Sequence, residues 1–222
     1  MNSKFAVIGL GVFGSAIARK LAERGADVMA IDESEEKVQS IVADVTYAVS
    51  LDATNKHALE SQNLSDMDAV VVTIGSSFQE MLLCVFQLQA IGVQQIIARA
   101  QGSVQREILS KMGVNHVLSP ETEVANNIAE QLTNPGVLMC VNLPDDHVII
   151  EVEAPSKLHG RSLEDIGLRK KYFINLVTLL KKEGEEHHVK EAPGPNTVVE
   201  NGDIIMVFGL TQDVNRFIKI NT

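Results

Sequence analysis

The chain lacks several features that would place it in common protein classes. It has no tryptophan and only 4% aromatic residues, so its cores must be built from aliphatic side chains. Its two cysteines, Cys84 and Cys140, lie in apolar runs and provide neither a disulfide framework nor metal-ligand spacing. Basic residues are also few, and the net charge is −10. Because phosphate-backbone binders need a basic surface, we expect no nucleic acid partner.

A long apolar segment and a secretion signal are missing as well. The apolar run from Met81 to Phe86 is far shorter than the ~20 residues of a membrane span. The first residues, Met1 to Lys4, do not show the basic and then apolar pattern of a signal segment. We therefore expect a cytoplasmic protein that associates with a membrane only through a partner.

Short branched apolar runs alternate with segments of helical spacing in the first part of the chain. The predicted strands are residues 5–8, 28–31, 45–49, 69–73, 95–98 and 116–118. The predicted helices are residues 14–25, a segment after Ser34, 55–62, 78–91, 103–112 and 121–133. This alternation predicts an α/β fold of the Rossmann type, a doubly wound parallel sheet.

A breaker cluster, Asn134-Pro135-Gly136, predicts a domain boundary. Residues 1–135 then form the first domain, and residues 136–222 form a second, smaller α+β domain. In the second domain the strands are predicted at residues 137–141, 148–152, 174–180 and 204–207, and the helices at 162–166 and 211–218.

Three glycines, Gly9, Gly11 and Gly14, lie in the loop between the first strand and the first helix. The spacing Gly-x-Gly-x-x-Gly is a weak signal alone, but the strand–helix context favours a phosphate site. In such loops the first glycine permits a tight turn, the second lets a phosphate approach the backbone, and the third allows close packing. The helix N-terminus adds free amide donors. A tight junction that binds no ligand is the alternative.

An acid follows the second strand at the spacing expected for a ribose-binding carboxylate. Asp32 lies 18 residues after Gly14, close to the ~20 residues of nucleotide-binding folds. Glu33 follows it, and the absence of a nearby arginine disfavours NADP. A solvated acid at the strand end is the alternative. This pattern does not separate NAD from ATP, ADP or AMP, because all of them share the adenosine and its phosphates.

Further motifs are spread along the chain: residues 5–14 (FAVIGLGVFG), 28–34 (VMAIDES), 50–54 (SLDAT), 70–76 (VVVTIGS), 99–101 (RAQ) and 117–121 (VLSPE). The second domain adds residues 160–163 (GRSL), 168–172 (LRKKY) and 201–209 (NGDIIMVFG). Together they resemble the RCK (regulator of K⁺ conductance) N-terminal and C-terminal domains of Trk- and Ktr-type potassium uptake systems. The first motif is general to Rossmann domains, whereas the combination is much more specific.

This resemblance implies a regulatory subunit that gates a potassium uptake transporter and is not an enzyme. Relatives are cytosolic homodimers that assemble into an octameric ring beneath a membrane-embedded potassium-translocating subunit. ATP and ADP stabilise different ring shapes, and NAD and NADH are ligands in some members. We accordingly expect ATP/ADP or NAD(H) as the ligand, and a location at the inner face of the plasma membrane. Some lineages bind cyclic di-AMP between C-terminal domains, and the basic cluster at 168–172 suits such an anion or forms a solvated face.

The resemblance also assigns positions around the nucleotide. The glycine loop contributes Val12 and Phe13, and Glu33 and Ser34 lie at the ribose. Asp52 and Ala53 lie near the adenine, and Ile74, Gly75 and Ser76 lie under the ribose–phosphate. Arg99, Ala100 and Gln101 lie at the phosphate side, and Gln105 is a further position of the site. Relatives commonly carry a histidine where this chain has Gln105. Ligands of open α/β sheets bind at the carboxyl ends of the strands, where Asp52, Ile74 and Arg99 follow their predicted strands.

Two positions limit what the resemblance implies. Glu121 falls where some relatives hold a divalent cation, Mg or Ca, between the nucleotides of a dimer. Because Ser119-Pro120-Glu121 begins a predicted helix, a carboxylate there also has a purely structural explanation. Val12 stands where many Ktr-type relatives have an arginine that reaches the terminal phosphate. Discrimination of ATP from ADP would then be weaker here, or would depend on Arg99 or a residue of the partner subunit, and NAD(H) or AMP becomes a more credible ligand.

The helix predicted at residues 78–91 is apolar around most of its circumference, which requires burial on more than one side. One side can face the sheet, and the other predicts a subunit interface or burial under the second domain. The main alternative function is an NAD(H)-dependent oxidoreductase or an NAD(H) redox sensor. An oxidoreductase needs a proton-transferring residue beside the nicotinamide, and no convincing His–Asp or Tyr–Lys pairing stands out.

Overall fold

The structure is a computed structural model that describes residues 2–189 and 192–221. Contacts within the chain divide it into two compact units between Thr122 and Glu123. The division falls inside a helix, earlier than the predicted boundary at residue 135. The domain boundary at residue 135 therefore stays a prediction.

The first unit is built on six parallel strands. They are β1 (Lys4–Ile8), β2 (Asp27–Asp32), β3 (Tyr47–Ser50), β4 (Ala69–Val72), β5 (Ile96–Arg99) and β6 (His116–Leu118). Their order in the sheet is β3-β2-β1-β4-β5-β6, and every neighbouring pair is parallel. The predicted Rossmann-type parallel sheet is confirmed, and the strand order reverses between β1 and β4.

Helices connect the strands of this sheet. They are α1 (Val12–Glu23), α2 (Glu35–Gln39), α3 (Lys56–Glu60), α4 (Phe78–Ala90), α5 (Ser103–Lys111) and α6 (Pro120–Thr133). Ser34 caps α2 as predicted, since its side chain accepts a hydrogen bond from the Lys37 amide. Asn55 and Ser77 cap α3 and α4 in the same way.

Both faces of the parallel sheet are buried. Alternate residues of β1 point to opposite sides, so that Ala6 and Ile8 enter one core and Val7 enters the other. Helix α4 contributes Cys84 to the first of these cores, while Phe86 on its other face is 59% exposed. Burial raises the pKa of the Cys84 thiol to about 12, and the charge of Asp52 adds to this effect. The thiol is therefore protonated at neutral pH, as is usual for a cysteine packed in an apolar core.

The start of α1 is held against the sheet by a contact that only glycine permits. A Cβ at Gly14 would lie 1.9 Å from the Gly9 carbonyl oxygen and 2.4 Å from Thr73 Oγ1. The Thr73 hydroxyl donates a 2.6 Å hydrogen bond to that same oxygen. Gly9 itself has a φ of 94°, and a Cβ there would lie 2.9 Å from the Ile74 amide nitrogen. These two glycines are thus required by the protein's own packing and backbone.

The second unit is mainly antiparallel. Its strands are β7 (Val137–Asn142), β8 (His147–Glu153), β9 (Arg161–Ser162), β10 (Asn175–Glu183), β11 (Glu186–Val189), β12 (Val198–Val199) and β13 (Ile204–Leu210). Its helices are α7 (Leu163–Ile166), α8 (Leu168–Tyr172) and α9 (Thr211–Asn221). The strand order is β11-β10-β13-β8-β7, with β12 and β9 as a separate pair. This arrangement confirms the predicted smaller α+β unit.

A buried acid secures the turn before β13. Asp203 is only 1% exposed and accepts hydrogen bonds from the Lys181 ammonium at 2.8 Å and the Glu200 amide at 2.7 Å. Burial by itself lowers the pKa of Lys181, but hydrogen bonds to Asp203 and Glu200 outweigh it and raise the pKa above its ordinary value. The stabilisation from this ammonium is therefore present at neutral pH and is lost only as alkaline pH passes the raised value.

Replacing Gly14 by alanine is expected to destabilise the first unit by about 2–3 kcal/mol, because the new methyl group overlaps the Gly9 carbonyl. Gly11→Ala is the matched control, since a Cβ at Gly11 has no atom within 4 Å. We expect it to change stability by less than about 1 kcal/mol. Urea unfolding of the full chain measures both variants, and equal losses would contradict the assigned packing role.

Asp203→Ala is expected to cost about 3–5 kcal/mol in the second unit, because it leaves a lysine charge without its buried partner. Glu200→Ala removes a carboxylate that binds the same ammonium at 2.9 Å but is 69% exposed. That control should cost no more than about 1 kcal/mol. Thermal unfolding followed by circular dichroism compares the two, and an equally small loss in both would disprove the role of Asp203.

Candidate functional site

The first unit contains a cleft of about 320 Å³ at the carboxyl ends of its strands. The cleft lies where the strand order reverses, which is where ligands bind in open α/β sheets. Its volume lies in the range of small-molecule sites, which begins at ~300 Å³. The predicted residues that line it are Gly9, Gly11, Asp32, Glu33, Asp52, Ala53, Ile74, Gly75, Ser76 and Arg99.

Helix α1 begins at this cleft with its first turn uncapped by any side chain. The first amides of a helix have no intrahelical partners, so they are available as donors to an anion. Gly11 precedes the helix with φ −67° and ψ −175°, an ordinary extended conformation. A Cβ at Gly11 would meet no protein atom within 4 Å. Unlike Gly9 and Gly14, Gly11 leaves space that the protein does not use.

The carboxylate of Asp32 joins the loops that follow β1 and β2. Asp32 is 6% exposed and accepts hydrogen bonds from the backbone amides of Leu10 at 2.6 Å and Ser34 at 2.9 Å. The alternative of a solvated acid at the strand end is therefore wrong. The two amides fix the orientation of the carboxylate at the wall of the cleft.

A lysine that the sequence analysis missed lies beside this carboxylate. The Lys37 ammonium is 3.3 Å from both Asp32 oxygens, and Lys37 lines the cleft. The helix cap at Ser34 could have identified Lys37 from the sequence, because it places Lys37 in the first turn of α2, close to the end of β2. A cation therefore neighbours the proposed ribose site.

The loop after β3 presents a second acid. Asp52 accepts hydrogen bonds from the Thr54 hydroxyl at 2.6 Å and the Thr54 amide at 2.8 Å. These bonds hold the pKa of Asp52 below its ordinary value, so the side chain is ionised at neutral pH. Ala53 is mostly buried and ties the same loop to the core. The sequence analysis missed Thr54, which lines the cleft with Thr73, Glu80, Leu51 and Ile8.

Arg99 is the last residue of β5 and lines the cleft on the other side of β1 from Asp32. Its guanidinium pairs with Glu121 and lies 5.7 Å from the centre of the Phe13 ring. Within residues 2–189 and 192–221, the buried Nε of Arg99 has no hydrogen-bond partner. Arg99 thus keeps a donor that the described protein does not satisfy, as expected of an anion-binding group.

The remaining predicted residues lie outside the cleft lining: Val12, Phe13, Gly14, Ser34, Ala100, Gln101, Gln105 and Glu121. Val12 is 96% exposed. The Ala100 amide bonds to Leu118 within the sheet, and the Gln105 side chain accepts the Gln101 amide at 2.8 Å, which orders the start of α5. Their roles toward a ligand stay predictions.

The described part of the chain contains no group of three or more His, Cys, Asp or Glu residues that could hold a metal ion. Glu121 pairs with Arg99 instead, so the predicted divalent cation at Glu121 stays a prediction. Among the same residues, no helix has the length and apolarity needed to cross a membrane.

Comparison with known proteins matches both units to families. Residues 5–120 match the TrkA-N domain and residues 147–221 match the TrkA-C domain. The chain is similar to Ktr system potassium uptake protein C of Bacillus subtilis (strain 168), with 37% identity over 219 residues, covering 99% of this chain and 97% of that protein.

Two solved structures share the fold at low identity. The GsuK RCK domain aligns with a TM-score of 0.68 and 14% identity, covering 100% of this chain and 48% of that chain. The GsuK channel bound to NAD aligns with a TM-score of 0.68 and 15% identity, covering 96% of this chain and 38% of that chain. Because the two domains match in order and a relative matches over nearly the full length, the chain belongs to the TrkA family, as the resemblance to Ktr-type proteins predicted.

Proposed function

We propose that this chain is a nucleotide-binding regulatory subunit of a potassium uptake system. An adenine nucleotide in the cleft sets the conformation through which the subunit controls ion flux. Membership of the TrkA family and the similarity to a Ktr potassium uptake protein support the transport part of this proposal. The geometry of the cleft supports the nucleotide part.

The unoccupied space beside Gly11 is the observation that best supports nucleotide binding. Gly9 needs glycine for its backbone conformation, and Gly14 needs it for packing against the Gly9 carbonyl. Gly11 has neither need, yet it lines the cleft at the start of α1, where the first helical amides have no side-chain cap. A side chain there would obstruct only a ligand that approaches those amides.

The arrangement of charge fits the two ends of a nucleotide. Asp32 ends β2 and Asp52 follows β3 on one side of β1, and Arg99 ends β5 on the other side. We place the adenosine over the first side, the phosphates at the start of α1, and Arg99 beside the phosphates. Carboxylates suit ribose hydroxyls, and a guanidinium suits phosphate oxygens.

The charge balance of the cleft favours NAD(H) over ATP. In the part of the chain that the structure describes, Lys37 and Arg99 are the only basic residues in the lining, against Asp32, Glu33, Asp52 and Glu80. Both cations are already paired with carboxylates, and Val12 adds no charge. A ligand of low charge is therefore better accommodated than a triphosphate. GsuK, which shares the fold, is known bound to NAD.

We further propose a cytoplasmic homodimer that assembles into an octameric ring on a membrane-embedded potassium-translocating subunit. Exposed apolar side chains on α4, including Leu83 at 41% and Phe86 at 59%, support contact between copies. A nucleotide that binds two ring conformations with different affinity then shifts the population between them.

Cyclic di-AMP at the basic helix α8 stays a prediction, as does the absence of enzymatic activity.

A thermal-shift panel with ATP, ADP, AMP, NAD and NADH, with and without Mg²⁺, tests the ligand. A nucleotide at 100 times its dissociation constant stabilises the protein by about 2.7 kcal/mol, enough to shift the melting temperature measurably. We expect a shift with NAD(H) or ADP. A full-length chain that responds to none of these compounds would overturn the nucleotide part of the proposal.

Gly11→Asp is expected to weaken nucleotide binding by at least about tenfold, because a carboxylate beside the phosphates is repelled by them. The fold should survive, since a side chain at Gly11 meets no protein atom and aspartate is a good helix N-cap. Gly11→Asn is the neutral control of the same size and should lose less affinity. Calorimetry with NAD and ADP measures both, and unchanged affinity in Gly11→Asp would show that the ligand binds elsewhere.

A further inference from the structure

The carboxylate that we assign to the ribose is fully occupied by the protein itself. Asp32 Oδ2 accepts the Leu10 amide, Oδ1 accepts the Ser34 amide, and the Lys37 ammonium lies 3.3 Å from each oxygen. A carboxylate has about four lone-pair positions on its two oxygens. All of them are used here, so a ribose diol can bind Asp32 only if one of the present donors leaves.

The Lys37 ammonium is the donor that can leave. Its distances of 3.3 Å exceed the ~2.7–2.9 Å of strong charge-assisted hydrogen bonds. Its side chain is 50% exposed and flexible, whereas the other two donors are backbone amides. Helix α2 does not depend on the ammonium, because the contact of Lys37 with the Ser34 cap is made by its backbone amide.

We infer that the Lys37 ammonium is a tethered competitor of the ribose diol. It neutralises Asp32 in the empty cleft and moves away when the 2′- and 3′-hydroxyls of a nucleotide take over the two oxygens. This inference rests on the proposed function, and it makes Lys37 the residue that lowers affinity for the ribose. A sensor benefits from such a competitor, because a weakly held nucleotide exchanges as its concentration changes.

A pair of ligands isolates this effect from the general loss of positive charge. ADP has both hydroxyls, and 2′-deoxy-ADP has only one, so Lys37 can remain on one Asp32 oxygen when the deoxynucleotide binds. Replacing Lys37 should therefore favour ADP more than 2′-deoxy-ADP. Both ligands have the same phosphates, so the ratio of their affinities cancels any long-range electrostatic change.

The experiment is calorimetric titration of the full-length wild type, Lys37→Met and Lys56→Met with ADP and 2′-deoxy-ADP. In Lys37→Met we expect the ratio of ADP affinity to 2′-deoxy-ADP affinity to rise about two- to fivefold, the value of an exposed ion pair. Lys56→Met is the matched control: its side chain is 46% exposed and pairs with Glu60 at 3.4 Å, outside the cleft lining. It should leave the ratio unchanged. Lys37→Gln repeats the test with a second neutral side chain.

The outcomes separate this inference from the proposed function. A ratio that falls or stays the same in both Lys37 variants overturns the competitor role, while nucleotide binding by the wild type still stands. Binding of ADP by Lys37→Met alone supports the competitor role directly. If no form of the protein binds either nucleotide, the competitor role is overturned, while the proposed function is decided separately by the panel that includes NAD and NADH.

Discussion

The contact among the Gly9 carbonyl, the Thr73 hydroxyl and the bare Cα of Gly14 determines where the functional site lies. It fixes the first turn of α1 against the ends of β1 and β4, where the strand order reverses. Helix α1 then begins beside the cleft without a side-chain cap, and no protein atom fills the space beside Gly11. The other parts of the site, Asp32 on one side and Arg99 on the other, are arranged around this fixed point.

The fold was predictable from sequence because burial and pattern agree in its main elements. The parallel strands are apolar on both faces, as in β1, where Ala6, Val7 and Ile8 are all buried. The lack of such an apolar pattern explains why the sequence analysis missed some elements. Strand β11 (Glu186–Val189) is exposed along its whole length and carries no apolar signal, and α8 (Leu168–Tyr172) has one buried residue among basic ones. Strand β11 is defined by its hairpin pairing with β10, and α8 by the packing of Leu168 into the second core, and neither leaves an apolar period in the sequence.

The candidate site was predictable where a local motif defines it. The glycine spacing and the acid at the end of β2 identify Gly11 and Asp32 without a structure. Lys37 and Thr54 were missed because their roles come from side chains that contact carboxylates after β2 and β3, and no motif records such contacts. Thr73 was missed for the same reason, since its partner carbonyl is 64 residues away. Local sequence patterns mainly miss the residues that orient the motif residues through side-chain contacts.

The ion pair between Arg99 and Glu121 connects the cleft to the helix that leads out of the first unit. Glu121 lies in the first turn of α6, and the two compact units divide between Thr122 and Glu123 within that helix. An anion that engages Arg99 competes with Glu121 for the same guanidinium. Under the proposed function, a phosphate bound by Arg99 would free the Glu121 carboxylate at the start of α6, close to the point where the two units divide.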